Sequence, residues 1–537
     1  MRDFQLPGRS AAFSTNAMVA TSHPRATLTA LDILRSGGNA VDAAVAAAGV
    51  LAVVEPQMTG IGGDCFVLYA PAKSAKAGPL AKNGVVGFNG SGRAPKAAET
   101  EWYVARGIRS MEETSPHSVT IPGAIDAWHQ LVRDHGTKSL GELLQPAIDC
   151  AENGFVVTPR VALDWAGNAA KLAKTETSKA IFLPGGKPLK AGDIHRNPQL
   201  AATLKSIAKQ GRDAFYTGAV AQDMVKTLNR MGALHTMEDF AAATGEYVTP
   251  ISSNYRGYDV YECPPNGQGF VVLEMLNILQ GFDFDDVPPL SSKRFHRQIE
   301  AARLAYRDRD VVLGDPRFAN LGVEKVLSPS YAQEMRARIR DDRAMPDLGP
   351  PSGIGHCDTV YLCVVDRDGN AISFINSLYK GFGTGITSDT TGIVLHNRGS
   401  CFVVEPGHPN TIGGAKRPLN TIIPGMLLKD GKVVMPFGVM GGHYQPTGHA
   451  HLIGNLLDFG MDVQESLEAP RVFAYEGVVE IETGVPAETG RELAALGHTT
   501  KPAAGPHGGG QAVWIDHARG VLSGGTDPRK DGVALGY

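Results

Sequence analysis

The sequence predicts an α+β fold in which β-hairpins form a sheet sandwich covered by helices. Three features predict it. Residues Ala40 to Val54 form an Ala- and Val-rich helical run, suited to close packing on a sheet. Residues Thr359 to Ser377 hold two β-rich runs joined by Asp366-Arg-Asp-Gly-Asn370, a hairpin pattern. Further strand-like runs follow, with one helical segment among them.

Taken in order, Thr27 to Leu34 is helical and stops at Gly37-Gly38, and the Ala-rich helix starts after Asn39. Thr59-Gly-Ile-Gly-Gly-Asp64 is a glycine turn feeding a strand at Cys65 to Ala70, with Val85 to Gly92 as its hairpin partner. From about Glu99 to Gln280 the pattern is mainly helical, with breaks at Pro116, Pro122 and Pro159. Ser292 to Leu313 reads as an amphipathic helix ended by Gly314-Asp-Pro316. Asp341 to Gly355 is rich in Pro, Gly and Asp and reads as a linker. After it, Gly392 to Asn397, Gly425 to Val439 and Val513 to Ile515 read as strands, and Thr447 to Phe459 as a helix. There is no repeat of fixed period.

The 537 residues are 43% hydrophobic and 20% charged, an ordinary globular composition, with a net charge of -4. Neither the charge nor its distribution suggests a nucleic-acid partner or a polybasic membrane surface. The longest apolar stretch, Ala40 to Val54, is interrupted by Asp42 and is too short to span a bilayer. The opening residues show no apolar h-region, so the expected location is the cytoplasm. Six scattered cysteines without a CxxC pair fit reduced thiols. His449 and His451, two apart on a helix, are poorly spaced for a metal, and no GxGxxG or P-loop occurs. Neither a metal nor a cofactor is expected. His507-Gly-Gly-Gly510 has no GxSxG elbow to accompany it and reads as a glycine loop beside a sheet.

The chemistry centres on Thr359, which opens a strand directly after the linker. A strand-start threonine is ordinarily structural. If the chain is cut between Asp358 and Thr359, however, the hydroxyl gains a free α-amine on the same residue. An α-amine has a pKa of about 7.7–8.0, near the pH at which a general base is best poised. A threonine hydroxyl with its own amine is an established activated nucleophile.

Thr359-Val-Tyr-Leu-Cys-Val-Val-Asp-Arg-Asp-Gly-Asn-Ala371 resembles the new N-terminus of the small subunit of γ-glutamyltranspeptidases. The resemblance covers nearly the whole chain. Gly37-Gly-Asn-Ala-Val-Asp-Ala-Ala44 with Gly60-Ile-Gly-Gly63, Ser118-Val-Thr-Ile-Pro-Gly123, Tyr255-Arg-Gly-Tyr258, Leu313-Gly-Asp-Pro316, Phe382-Gly-Thr-Gly385, Lys416-Arg-Pro-Leu419 and Asp527-Pro-Arg529 match in order. It implies the four-layer αββα sandwich of N-terminal-nucleophile hydrolases and a self-cleaved enzyme. The pieces would be a large subunit, 1–358, and a small one, 359–537, held together as a heterodimer or a dimer of these. It further implies Thr359 as nucleophile and Ser377 as the hydroxyl that orients it. Gly441 and Gly442 would supply the oxyanion-hole N–H groups.

The chain departs from the family where substrate is held. The family places an Asn at Tyr379, an Asp at Cys401, a Ser-Ser pair at Asn420-Thr421 and an Arg near Ser91, for which Arg93 is the candidate replacement. A thiol gives no counter-charge to an α-ammonium. The expected substrate is therefore a small-molecule amide, γ-glutamyl or a related acyl amide. The alternative is an amidohydrolase of the oxamate or cephalosporin-acylase kind with little glutathione activity. Arg93, Arg398, Lys416 and Arg417 are the cations available to a carboxylate. A reading of another class, an uncleaved binding protein of the same fold, would call for a missing nucleophile.

Overall fold

The computed structural model describes residue 5 and residues 8–73, 78–346 and 359–537. Two seven-stranded antiparallel sheets form its centre. The first runs, edge to edge, Val533–Gly536, Met18–Thr21, Val360–Val365, Ala371–Ser377, Asp64–Ala70, Val86–Gly90 and Glu246–Val248. The second runs Ala12–Ser14, Val521–Thr526, Gly509–Asp516, Lys432–Met440, Gly425–Lys429, Tyr258–Glu262 and Ile251–Tyr255.

Strand alternation builds the layers. Along Val360–Val365, the side chains of Val360, Leu362 and Val364 join the core shared with helix Ala40–Val54. Tyr361, Cys363 and Val365 face the other way, into the core between the sheets with Met426, Leu428 and Val513. On the far side, Leu427, Phe437 and Val439 pack with helices Gly269–Leu279, Ser292–Val312 and Gln445–Leu457. The order is helices, sheet, sheet, helices, the αββα sandwich expected from the sequence.

Local chemistry explains the central hairpin. The Asp366 carboxylate accepts from the N–H groups of Asp368 and Asn370, both at 3.0 Å, which closes the predicted turn. It also accepts from Ala40 N at 2.9 Å, so the turn is pinned to the start of the Ala-rich helix. That helix carries a capping box: Asn39 Oδ1 accepts from Val41 and Asp42, and Asp42 accepts from Asn39 N. All fifteen residues of Ala40–Val54 are buried, which its lack of a polar face already implied.

One expectation needs correction and one a refinement. The span Glu99 to Gln280 is mainly helical, as expected, but also holds the sheet strands Glu246–Val248, Ile251–Tyr255 and Tyr258–Glu262. The last two form a hairpin turning at Arg256-Gly257, both at positive φ. Its Tyr, Val and Ile content was the overlooked β signal. Gly392 to Asn397 forms no strand, only an isolated bridge from Val394 to Thr387. Its backbone is spent on other loops, with His396 N donating to Gly62 O and Asn397 N to Leu378 O. The other helices and strands named above stand, within a few residues at their ends. From residue 347 the predicted linker lies outside the described residues, and so does Asp358.

Candidate active site

Thr359 directly precedes the strand Val360–Val365, opposite Ser377 in the register that pairs Val360 with Asn376. By alternation both hydroxyls project toward the second sheet. Thr359 Oγ1 lies 3.1 Å from Ser377 Oγ, and both residues are fully buried. Ser377 Oγ also accepts from Tyr379 N at 2.8 Å. Tyr379 reaches this position with φ 76, a conformation that costs a non-glycine residue energy and is held by the packing around it.

The second sheet supplies the facing wall. Strand Lys432–Met440 ends at Gly441 and Gly442, with φ 117 and 57, and helix Gln445–Leu457 starts just beyond. Two left-handed residues in succession turn the chain so that its N–H groups can face a ligand, which glycine permits at little cost. The turn is fixed from below. Gln268 Nε2 donates to Gly442 O at 3.0 Å and to Thr421 O at 2.8 Å, and its Oε1 accepts from Arg309 Nη1 at 3.1 Å. Gln445, from the first turn of the helix, points its Nε2 to Thr359 Oγ1 at 3.5 Å while its Oε1 accepts from Ile423 N at 3.0 Å.

Four of the positions that depart from the pattern the chain resembles, Tyr379, Cys401, Asn420 and Thr421, gather around Arg398 and Asp64. Arg398 Nη1 donates to Thr421 Oγ1 at 2.8 Å and lies 3.8 Å from Cys401 Sγ. Its guanidinium carbon sits 4.2 Å from the centre of the Tyr379 ring. Asn420 Nδ2 donates to Asp64 Oδ2 at 3.1 Å, and Asp64 is the strand partner of Ser377. Tyr379 Oη lies 3.2 Å from His443 Nε2. Arg309 Nη1, which can only donate, is 2.8 Å from His443 Nδ1, so the imidazole accepts there and donates from Nε2 to Tyr379. Burial holds His396 below the ordinary histidine range and His449 down to about 3, so neither is a charged acid near neutrality.

Thr359, Ser377, Tyr379, Cys401, Asn420 and Thr421 are thus linked by contact or through one partner. Arg93 is engaged elsewhere: it pairs with Asp315 at 3.4 Å and Glu246 at 3.5 Å. Burial, with Arg417 and Arg317 beside it, pushes its guanidinium down to about 10. It borders a cavity of about 490 Å³ that neither Thr359 nor Gly441 lines. The wall of that cavity still touches the site, since Gly92 N donates to Asp64 Oδ1 at 2.9 Å. Sequence reading missed Asp64, Gln268, Arg309, His443 and Gln445. Of these, Asp64 at the end of the glycine turn and His443 directly after the glycine pair stood in motifs that had been singled out.

Comparison with known proteins agrees with this arrangement. The chain matches the family model described as Gamma-glutamyltranspeptidase over residues 26–537. It is 38% identical over 535 residues to the glutathione hydrolase-like YwrD proenzyme of Bacillus subtilis (strain 168), covering 97% of this chain and 98% of that one. It is 34% identical over 543 residues to the oxamate amidohydrolase proenzyme of Klebsiella pneumoniae, covering 98% and 99%. The crystal structure of cephalosporin acylase from Bacillus halodurans superposes with a TM-score of 0.92 at 39% identity, covering 100% of this chain and 99% of that one. A match of this extent, on a sandwich of this layering, means that the chain belongs to the gamma-glutamyltranspeptidase family and is a self-processing N-terminal-nucleophile amidohydrolase.

Proposed function

We propose that the chain cuts itself between Asp358 and Thr359 and then hydrolyses small acyl amides through an acyl-Thr359 ester. The observation that carries the reading is Thr359 Oγ1, buried at a strand start, 3.1 Å from Ser377 Oγ. In turnover the freed α-amine takes the hydroxyl proton as Oγ1 attacks the amide carbon. Ser377 orients Oγ1, and Gly441 and Gly442 face the oxyanion with their N–H groups. The proton passes to the leaving amine as the C–N bond breaks, and water then hydrolyses the ester. Residues 1–358 and 359–537 would remain together as the two subunits, since both sheets contain strands from both sides of the cut.

The same reading sets the pH profile. An amine base works only unprotonated, so the rate should fall as pH drops through its pKa. The ordinary value is about 7.7–8.0, and burial lowers it because desolvation disfavours the charged form. Burial lowers His396 and holds His449 down to about 3, and the fall expected of the amine lies between about pH 8 and 6. A rate that rises on acidification across that range would exclude this base.

The acyl group is read as something other than γ-glutamyl. Relatives include proteins named as a glutathione hydrolase, an oxamate amidohydrolase and a cephalosporin acylase, and the groups around Arg398 favour the latter kinds. Cys401 offers no charge to an α-ammonium, and Tyr379 fills space at the position of the family's Asn. Losing one charge-assisted hydrogen bond costs about 1.5–3 kcal/mol, roughly ten- to a hundredfold in affinity. Glutathione should therefore be turned over with kcat/KM below about 10⁴ M⁻¹s⁻¹ and a high KM. Cys401→Asp with Tyr379→Asn should shift preference toward γ-glutamyl amides. Steady-state kinetics on glutathione decides it: efficient turnover by the unmodified enzyme would refute the specificity reading and leave the acyl-Thr359 chemistry standing.

A further inference from the structure

We infer that Arg398 is the anion anchor of the acyl site, and that the enzyme's substrates are amides whose acyl chain ends in a carboxylate and carries no α-ammonium. The inference rests on the acyl-Thr359 reading above and names the substrate class for it.

Arg398 is fully buried, yet it is poorly matched by the protein around it. Nη1 donates to Thr421 Oγ1, while Nε and Nη2 donate to no group among the described residues. Buried donors without acceptors are rare because each forfeits its hydration, and a charged one forfeits more. The Nε–Nη2 edge is also the edge that grips a carboxylate with two parallel bonds. Arg297 shows this in the same chain, holding Asp341 through Nε at 3.0 Å and Nη2 at 2.7 Å. The edge of Arg398 has no such partner.

Asp64 does not close it. Its Oδ2 lies 3.6 Å from Arg398 Nε, too far for a hydrogen bond. Its two oxygens instead accept from Gly92 N at 2.9 Å and Asn420 Nδ2 at 3.1 Å. The Tyr379 ring covers the guanidinium, and the bond to Thr421 fixes its plane. Both supports adjoin the nucleophile: Tyr379 N donates to Ser377 Oγ, and Thr421 stands two residues from Ile423, whose N–H holds Gln445 beside Thr359. The fork is thus a cationic donor pair tied through Tyr379 and Thr421 to the residues around Thr359. Among the described residues the one carboxylate within 4 Å of it is Asp64, whose oxygens already accept from Gly92 N and Asn420 Nδ2, so no free counter-charge for an ammonium stands there.

The test compares glutaryl and pentanoyl anilides, which differ only in a terminal carboxylate against a methyl group. Wild-type enzyme should prefer the glutaryl compound. In Arg398→Met the ratio of the two kcat/KM values should fall by about thirtyfold, mainly through KM for the glutaryl substrate. Loss of both activities in proportion would show that Arg398 serves only to balance Asp64 and would overturn the inference. If Arg398→Met does not fold, Cys401→Asp supplies a carboxylate to the guanidinium from within and should collapse the same ratio; an unchanged ratio overturns the inference. If neither anilide is hydrolysed by the wild type, the acyl-Thr359 reading has failed separately. Glutarate binding, measured by calorimetry on wild type and Arg398→Met, then decides the anchor: binding lost in the variant supports it, and equal or absent binding in the two overturns it.

Discussion

Replacing Thr359 by Ala is expected to leave the protein as a single uncut chain without measurable amidase activity. On the proposed reading the self-cleavage and the turnover use one atom, Thr359 Oγ1. In the first, it attacks the carbonyl carbon of Asp358, and the peptide shifts from nitrogen to oxygen. The C–N bond breaks in that shift and frees the amine, and water then hydrolyses the ester and frees the hydroxyl. In the second, the same oxygen attacks the substrate, and the amine just released serves as base. Alanine removes the oxygen and, by blocking the cut, the base as well. The fold should survive, because Thr359 lies outside the ladder that begins at Val360, and among the described residues its hydroxyl meets Ser377 and Gln445. Denaturing electrophoresis should show one band for Thr359→Ala and two for the wild type, roughly two thirds and one third of the chain. N-terminal sequencing of the smaller piece should begin Thr-Val-Tyr-Leu. Thr359→Ser keeps the oxygen and should still be cut. An active Thr359→Ala, or a cut elsewhere in the wild type, would remove Thr359 from both roles.

The parts of this fold that were legible in the sequence are those fixed by local pattern. The hairpin around Asp366 announced itself because the turn residues, their side-chain acceptors and the flanking β-branched runs are contiguous. The Ala40–Val54 helix did so because no residue but Asp42 offered a polar alternative, and Asp42 belongs to its cap. The proposed nucleophile, its orienting serine and the glycine pair were picked out through family likeness at matched positions, and the fold brings the first two within 3.1 Å of each other. The supporting shell was not. Gln268, Arg309 and His443 come from separate segments and meet only after the second sheet closes against its helices. Each is an ordinary polar residue in its own stretch of sequence. Arg93 illustrates the converse: two residues from an expected cation, it looked like a substitute, but it is held by Asp315 and Glu246 beside another cavity. Arg398, read from sequence as one cation among four, stands apart only once its unmatched donors are seen.

Gly441→Ala should lower kcat by about 10²–10³ with little change in KM, the loss typical of removing one oxyanion donor. The reasoning is steric before it is electrostatic. Gly441 has φ 117, where a side chain is strained whatever the space around it. A Cβ there would also stand 2.9 Å from Gly508 Cα, a backbone atom of the glycine loop that backs the turn. Gly508 itself sits at φ 65 beside Met440 and next to strand Gly509–Asp516, so it cannot yield without disturbing the second sheet. The turn carrying Gly441 and Gly442 must shift instead. A shift of a few tenths of an ångström misdirects N–H groups whose value depends on being in place before charge develops, and substrate binding, which depends on groups around Arg398, is largely spared. The contrast with Thr359→Ala is informative. Self-cleavage passes through a tetrahedral oxyanion too, so maturation should slow rather than stop, and cut enzyme can be collected after long incubation. Kinetics on that mature fraction isolate the catalytic effect from the processing defect. A mature Gly441→Ala enzyme with kcat within about threefold of wild type would place the oxyanion donors elsewhere.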